Sequence, residues 1–239
     1  MEVLVGDTLY FNADDGYDTV LYAHDTSNYS TWQVTGCCYV GSSSYPGDYM
    51  AILVGDTLYF SADDGYGYEL WAHDTSNSST WQVQSFNNAT QTGSSYPGQY
   101  MAILVGDTLY FSATDGSSGH ELWAHDTSNA STWLVADITS TAQWITSSSS
   151  NPGQYMTVLV GDTLYFSATD GSSGWELWAH DTSNASTWQV ADINSGTVTS
   201  NPGYYMAILV GDTLYFSAND GTSGHELWAM DIEHSITYD

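Results

Sequence analysis

The chain has 239 residues, with 28 Asp and Glu, no Lys or Arg, and a formal net charge of -28 at pH 7. Without Lys or Arg it has no cationic groups with which to displace counterions from a phosphate backbone, which argues against nucleic acid as a partner and disfavours adsorption to an anionic membrane surface. Charged residues are only 12% and aromatic residues 15%, so the composition describes a folded, polar-skinned protein and not a disordered polyacid.

The missing cations also leave no trypsin site, which suits long survival outside a cell. The abundant Ser, Thr, Tyr and Asn make a neutral, hydroxyl-rich surface, closer to a coat or appendage than to a cytosolic enzyme. No apolar run is long enough for a helical membrane span, and no basic leader precedes a hydrophobic stretch.

In chain order, Met1-Glu2-Val3-Leu4-Val5-Gly6 opens the first of five copies of one unit, and it aligns with Met50-Ala51-Ile52-Leu53-Val54-Gly55. Met1 therefore has two readings, a translation start or a repeat residue exposed by processing. The markers Gly6, Gly55, Gly106, Gly161 and Gly211 are spaced by 49, 51, 55 and 50 residues. Repeats this alike solve one packing problem in one way.

Each copy reads as four short strands. In the second copy they are Ala51 to Val54, Thr57 to Ala62 after a tight Gly55-Asp56 turn, Glu69 to His73, and one centred on Thr80 to Val83. A connector with Tyr45-Pro46-Gly47, Tyr96-Pro97-Gly98, Asn151-Pro152-Gly153 or Asn201-Pro202-Gly203 leads to the next copy. Pro then Gly suits the central pair of a type II turn. In the last copy Glu226 to Asp231 supplies the third strand and Ile236-Thr237-Tyr238 a divergent fourth.

Neither face of such a sheet is cleanly polar. Leu58, Phe60 and Ala62 share one side of the second strand, and Thr57, Tyr59 and Ser61 the other. That is the pattern of a blade packed between neighbours. The predicted fold is all-β: a single five-bladed β-propeller domain over 1–239, built from four-stranded antiparallel blades near 1–49, 50–100, 101–155, 156–205 and 206–239. A β-solenoid is the competing architecture, for which a period near 50 is long. No strand is visibly borrowed from the N-terminus to close a ring.

At these strands the chain resembles the bacterial and archaeal extracellular repeats with an ELW…DGT…GT…LVKDI pattern. The matching text is Leu109 to Gly116, Glu121-Leu122-Trp123 and Leu134-Val135-Ala136-Asp137-Ile138. A looser resemblance is to kelch-type blades. The resemblance implies a propeller in a surface or secreted setting and no common reaction. The chain departs from the pattern at Asp126 to Thr132, which replaces DGT…GT, and at Ala136 and Ala191, which replace the usual Lys.

Asn-x-Ser recurs in the third-to-fourth hairpin at Asn28, Asn77, Asn129 and Asn184, with Asn88 adding a connector sequon. N-glycans are expected there if the chain is secreted; the alternative is that Asn and Ser simply make good turns. Asp63, Asp64 and Glu69, with Asp115 and Glu121, Asp170 and Glu176, and Asp220 and Glu226, form a repeated carboxylate pattern that offers oxygen ligands to calcium. The spacing is not that of an EF-hand, and no cofactor is required.

His24, His73, His125 and His180 each precede an Asp and read as packing or His–Asp hydrogen bonding. His120 and His225 alternate with Tyr68 and Trp175 in an aromatic or polar slot. Cys37-Cys38 is a candidate vicinal disulfide, with metal binding in a larger set or pairing with another chain equally open. No catalytic constellation is found.

The expectation is a non-enzymatic extracellular or cell-surface structural protein, a glycosylated propeller subunit of a filament, sheath or coat that self-associates. The alternative is a multivalent carbohydrate-binding lectin or adhesin, assisted by calcium, using repeated Trp, Tyr, Asn and Asp, with Trp144 and Trp175 as local departures from the repeat.

Overall fold

The structure, a computed structural model, describes residues 1–34, 44–86, 93–139, 149–232 and 235–238. Each repeat forms one four-stranded antiparallel sheet with its strands in chain order. In the second repeat the strands are Ala51–Val54, Thr57–Asp63, Tyr68–Asp74 and Ser79–Gln84. The inner strands are longer at their ends than the apolar pattern marked, because pairing runs from Thr57 opposite Asp74 to Asp63 opposite Tyr68. In the fifth repeat the fourth strand is Ser235–Tyr238.

Local chemistry sets these sheets. Val54 pairs with Thr57 across the two-residue Gly55-Asp56 turn. Gly55 has φ +58° and Asp56 no positive φ, the arrangement of a II′ hairpin with Gly first. At Tyr45-Pro46-Gly47-Asp48 the Asp48 N–H reaches the Tyr45 carbonyl at 3.3 Å, and Gly47 has φ +74°. This is the type II turn that Pro-Gly calls for.

The second strand is buried on both sides. Leu58, Tyr59, Phe60, Ser61 and Ala62 are all buried, as are their counterparts Leu109 to Ala113 and Leu164 to Ala168. Phe60, Phe111, Phe166 and Phe216 have no exposed surface, and each such ring contributes about 2–3 kcal/mol by leaving water. The fourth strand is the free edge. A register shift opposite Leu70 and Trp71, and again at Leu177 and Trp178, bulges the sheet there and spoils the edge for further strand addition.

The chain divides into two compact units, Met1–Ser117 with Ala124–Trp133, and Ser118–Trp123 with Leu134–Asp239. In the first, Tyr10, Leu21, Ala23 and Val34 of one repeat pack with Leu58, Phe60, Ala62 and Trp71 of the next, and Met1, Val3 and Val5 join them. In the second, Met156, Tyr165, Leu177 and Ala179 pack with Leu214, Phe216, Ala218 and Met230. In each of these two clusters a Tyr-bearing face of one repeat meets the Phe-bearing face of the following one.

Candidate functional site

The hairpin between third and fourth strands is built the same way four times. In the third repeat Asp126 Oδ1 accepts the Ser128 N–H at 2.8 Å and its hydroxyl at 2.6 Å, while Oδ2 accepts Asn129 Nδ2 at 2.6 Å. Asn129 Oδ1 in turn accepts the Ser131 N–H at 2.9 Å. The same bonds recur from Asp25 through Asn28 to Ser30, from Asp74 through Asn77 to Ser79, and from Asp181 through Asn184 to Ser186.

The Ser hydroxyl, then the backbone N–H groups, hold Asp25, Asp74, Asp126 and Asp181 below the usual carboxylate range. The residue after each Asn sits at positive φ, 61° at Tyr29 and 59° at Ala130. The sequon asparagines are therefore turn-closing residues on exposed tips. Asn88 lies outside the described residues.

The carboxylates expected to collect a cation are used separately. Asp63 Oδ1 accepts the Gly65 and Gly67 N–H groups, and Asp64 accepts the Tyr66 N–H and Gln82 Nε2. Asp115 closes onto Ser117, Asp170 onto Ser172 and Ser173, and Asp220 onto Thr222 and Ser223. Among the described residues no three His, Cys, Asp or Glu side chains gather into a group able to hold a metal.

Glu69, Glu121 and Glu176 instead turn inward and are buried. Glu121 accepts the Ile138 N–H at 2.8 Å, the Thr139 hydroxyl at 2.8 Å, and both the hydroxyl and the N–H of Ser150 at 2.6 and 3.1 Å. Glu176 is held likewise by Ile193 and Ser200, and Glu69 by Phe86 and Ser95. Burial pushes all three up to about 7, against the pull of these donors. Glu226, the fifth-repeat counterpart, is half-buried, and Val20 takes this place in the first repeat, opposite Ala13.

The serines in these networks went unmarked in the sequence. Ser95 donates its N–H to the Tyr68 carbonyl, and its own carbonyl accepts the Thr114 N–H of the next repeat. Ser44, Ser150 and Ser200 bridge in the same manner. The available signal was a Ser directly before all four Tyr/Asn-Pro-Gly turns. It ties each repeat's third strand to the following repeat's second.

The histidines bond to threonine, not aspartate. His73 Nδ1 lies 2.8 Å from Thr80 Oγ1, as do His24, His125 and His180 from Thr31, Thr132 and Thr187. The reason is register: His73 stands opposite Thr80, whereas adjacent Asp74 points to the other side of the strand. His73 also packs on Tyr10 at 5.4 Å and His125 on Tyr59 at 5.4 Å. Burial lowers the basicity of His73, His125 and His180.

The alternating slot is aromatic packing: Tyr68 lies against Tyr49 and Tyr96, Trp175 against Tyr155, and His225 against Tyr204 and Tyr205. Cys37, Cys38 and Trp144 lie outside the described residues. Among the described residues no helix is long and apolar enough to cross a membrane.

No protein-family model matches the chain, and no curated protein does. Solved structures do resemble it. A puromycin hydrolase is 15% identical with a TM-score of 0.51, over 89% of this chain and 32% of that one. A complexed form of puromycin hydrolase gives 13% and 0.52 over the same shares. TolB from Acinetobacter baumannii is 12% identical with a TM-score of 0.46, over 96% of this chain and 50% of that one. The chain thus spans half of TolB and about a third of puromycin hydrolase, and its likeness to puromycin hydrolase is one of fold: antiparallel four-stranded sheets resembling propeller blades.

Proposed function

We propose that this chain is a non-enzymatic structural protein of the cell exterior, a repeat of the ELW…DGT propeller type that self-associates into a surface filament, sheath or coat. One observation carries the reading. In repeat after repeat the chemistry-bearing side chains are consumed by the scaffold, with Asp and Asn closing hairpins and buried Glu tying connectors. The five-bladed ring within one chain and a head-to-tail array of chains call on the same terminal faces of the first and fifth repeats.

N-linked sugar on Asn28, Asn77, Asn129 and Asn184 fits this role. Each Nδ2 donates to a single Asp oxygen, and a glycosylated amide keeps one N–H for that bond. Electron microscopy and glycopeptide mapping of native material test the proposal together. Filaments or sheets with sugar on the hairpin tips are expected; dispersed, unglycosylated monomers would sink it.

A second reading is favoured by the outer strand. Trp32, Trp81, Trp133 and Trp188 are exposed at equivalent positions, a row of indole faces on which sugar rings can stack. A lectin of this kind gives avid binding on a glycan array, with calcium added or chelated. Silence across the array removes it.

A further inference from the structure

Within each unit, successive repeats meet Tyr face to Phe face, and the residues at that junction are closed off from water. Met50, Met101 and Met156 are each 4% exposed, and Leu70, Leu122 and Leu177 are 0% exposed. The fifth repeat repeats this lettering, but its Tyr face is uncovered. Met206 is 39% exposed, Ile208 52%, Val210 57% and Leu227 52%. Adjacent apolar side chains on one sheet face, left in water, mark an interaction surface.

The first repeat carries the opposite half. Its Phe face shows half-buried Leu9 and Phe11, where the counterparts Leu58 and Phe60 are fully buried. Leu9 and Phe11 line an open cavity of about 520 Å³ with Met1, Glu2, Asn12 and His24. The two uncovered faces are thus different from one another, and they are the two kinds of face that pack together inside each unit.

We propose that the Tyr face of the fifth repeat docks the Phe face of the first repeat of a second copy of this chain, in the register by which neighbouring repeats already pack. The contact is heterologous, so it propagates head to tail. Tyr215 meets the partner's His24 as Tyr10 meets His73, and Leu227 fills the cavity beside Leu9 and Phe11. The inference rests on the reading of the chain as a self-associating subunit and names its contact. Two chains of charge -28 repel each other, so association strengthens as salt screens them.

The test uses full-length chain with Cys37→Ser and Cys38→Ser, carrying either His24→Cys or Tyr215→Cys, and a short bismaleimide. A covalent dimer is expected from the mixture and not from either variant alone, with its yield rising with salt. Adding Leu227→Glu to the Tyr215→Cys partner is expected to lower the yield about tenfold. As a check free of cysteine chemistry, Leu227→Glu alone lowers the light scattering of concentrated chain.

No mixed dimer, or a chain carrying both His24→Cys and Tyr215→Cys that crosslinks only within itself as a monomer, overturns the proposal; the second outcome makes the chain's own first repeat the occupant. Filamentous native material without the mixed dimer overturns this contact and leaves the structural-subunit reading standing. A mixed dimer from material that builds no filament upholds the contact and removes the filament.

Discussion

Ser150 gives Glu121 both its hydroxyl, at 2.6 Å, and its backbone N–H, at 3.1 Å, so one connector residue supplies two of the donors to a buried carboxyl in a chain without Lys or Arg. Burial keeps Glu69, Glu121 and Glu176 protonated up to about pH 7 in the folded chain, against an ordinary value of 4.5. Between those values the folded state binds more protons than the unfolded one. The stabilisation is therefore complete below about 4.5 and is lost as pH rises through about 7.

The hairpin aspartates Asp25, Asp74, Asp126 and Asp181 act with the opposite sign. Their folded values are lowered, so their contribution is present above the ordinary carboxylate range and lost as pH falls through the folded values. The urea midpoint is expected to be higher at pH 5 than at pH 7.5, the unfolding free energy extrapolated to water being larger by roughly 1–3 kcal/mol per buried glutamate. Glu121→Gln, which copies the protonated acid, flattens the slope. A midpoint that climbs between pH 5 and 7.5 shows the donors outweighing burial.

Ala130 and Ala185 each occupy a left-handed backbone, at φ 59°, where a Cβ costs about 1–2 kcal/mol. Glycine relieves that strain but loosens the unfolded chain by about 0.4–1 kcal/mol. Ala130→Gly and Ala185→Gly are each expected to raise stability by a few tenths to about 1 kcal/mol. Thermal unfolding of the single and double variants checks this, and additive gains are expected because the two hairpins share no partner.

The repeat made the sheets legible: the hairpin Gly, the Pro-Gly turns and the two-sided apolar second strand all encode local geometry. The donors around the buried glutamates were not legible in the same way. Asp115 and Glu121 are close in sequence, yet Asp115 closes onto its own turn while Glu121 faces donors 17 and 29 residues later. No periodicity in a single repeat reports a bond to the following connector. The histidines pack on tyrosines as one of the two readings had it, but their hydrogen-bond partner was not legible, since adjacent strand residues face opposite sides and only the cross-strand register identifies Thr80 as the partner of His73.

Sequon and turn separate cleanly at Ser131. Its backbone N–H, not its side chain, closes onto Asn129 Oδ1 at 2.9 Å. Ser131→Ala therefore removes the glycosylation signal and keeps the hairpin, changing stability by less than about 0.5 kcal/mol. Asn129→Ala loses both the sugar and two turn bonds, and costs about 1 kcal/mol or more. Intact-mass measurement of secreted chain reads the first effect as one missing glycan, and urea unfolding reads the second. A Ser131→Ala mass lower only by the one lost oxygen shows that Asn129 carries no sugar.

Gly98 and Gly106 separate backbone strain from packing. Both have positive φ, +82° and +58°, but a Cβ on Gly106 meets open space, while one on Gly98 comes within 2.6 Å of Met50 Cβ. Gly106→Ala is expected to cost about 1–2 kcal/mol from conformation alone. Gly98→Ala adds the displacement of a buried methionine at the junction of two repeats, and is expected to cost about 1–3 kcal/mol more. Met50→Gly in the same chain removes the Cβ that the new methyl meets. The double variant is then expected to be more stable than the sum of its two single changes allows, because the residues touch. Strict additivity in urea unfolding overturns the claim that this turn and Met50 lock the two repeats together.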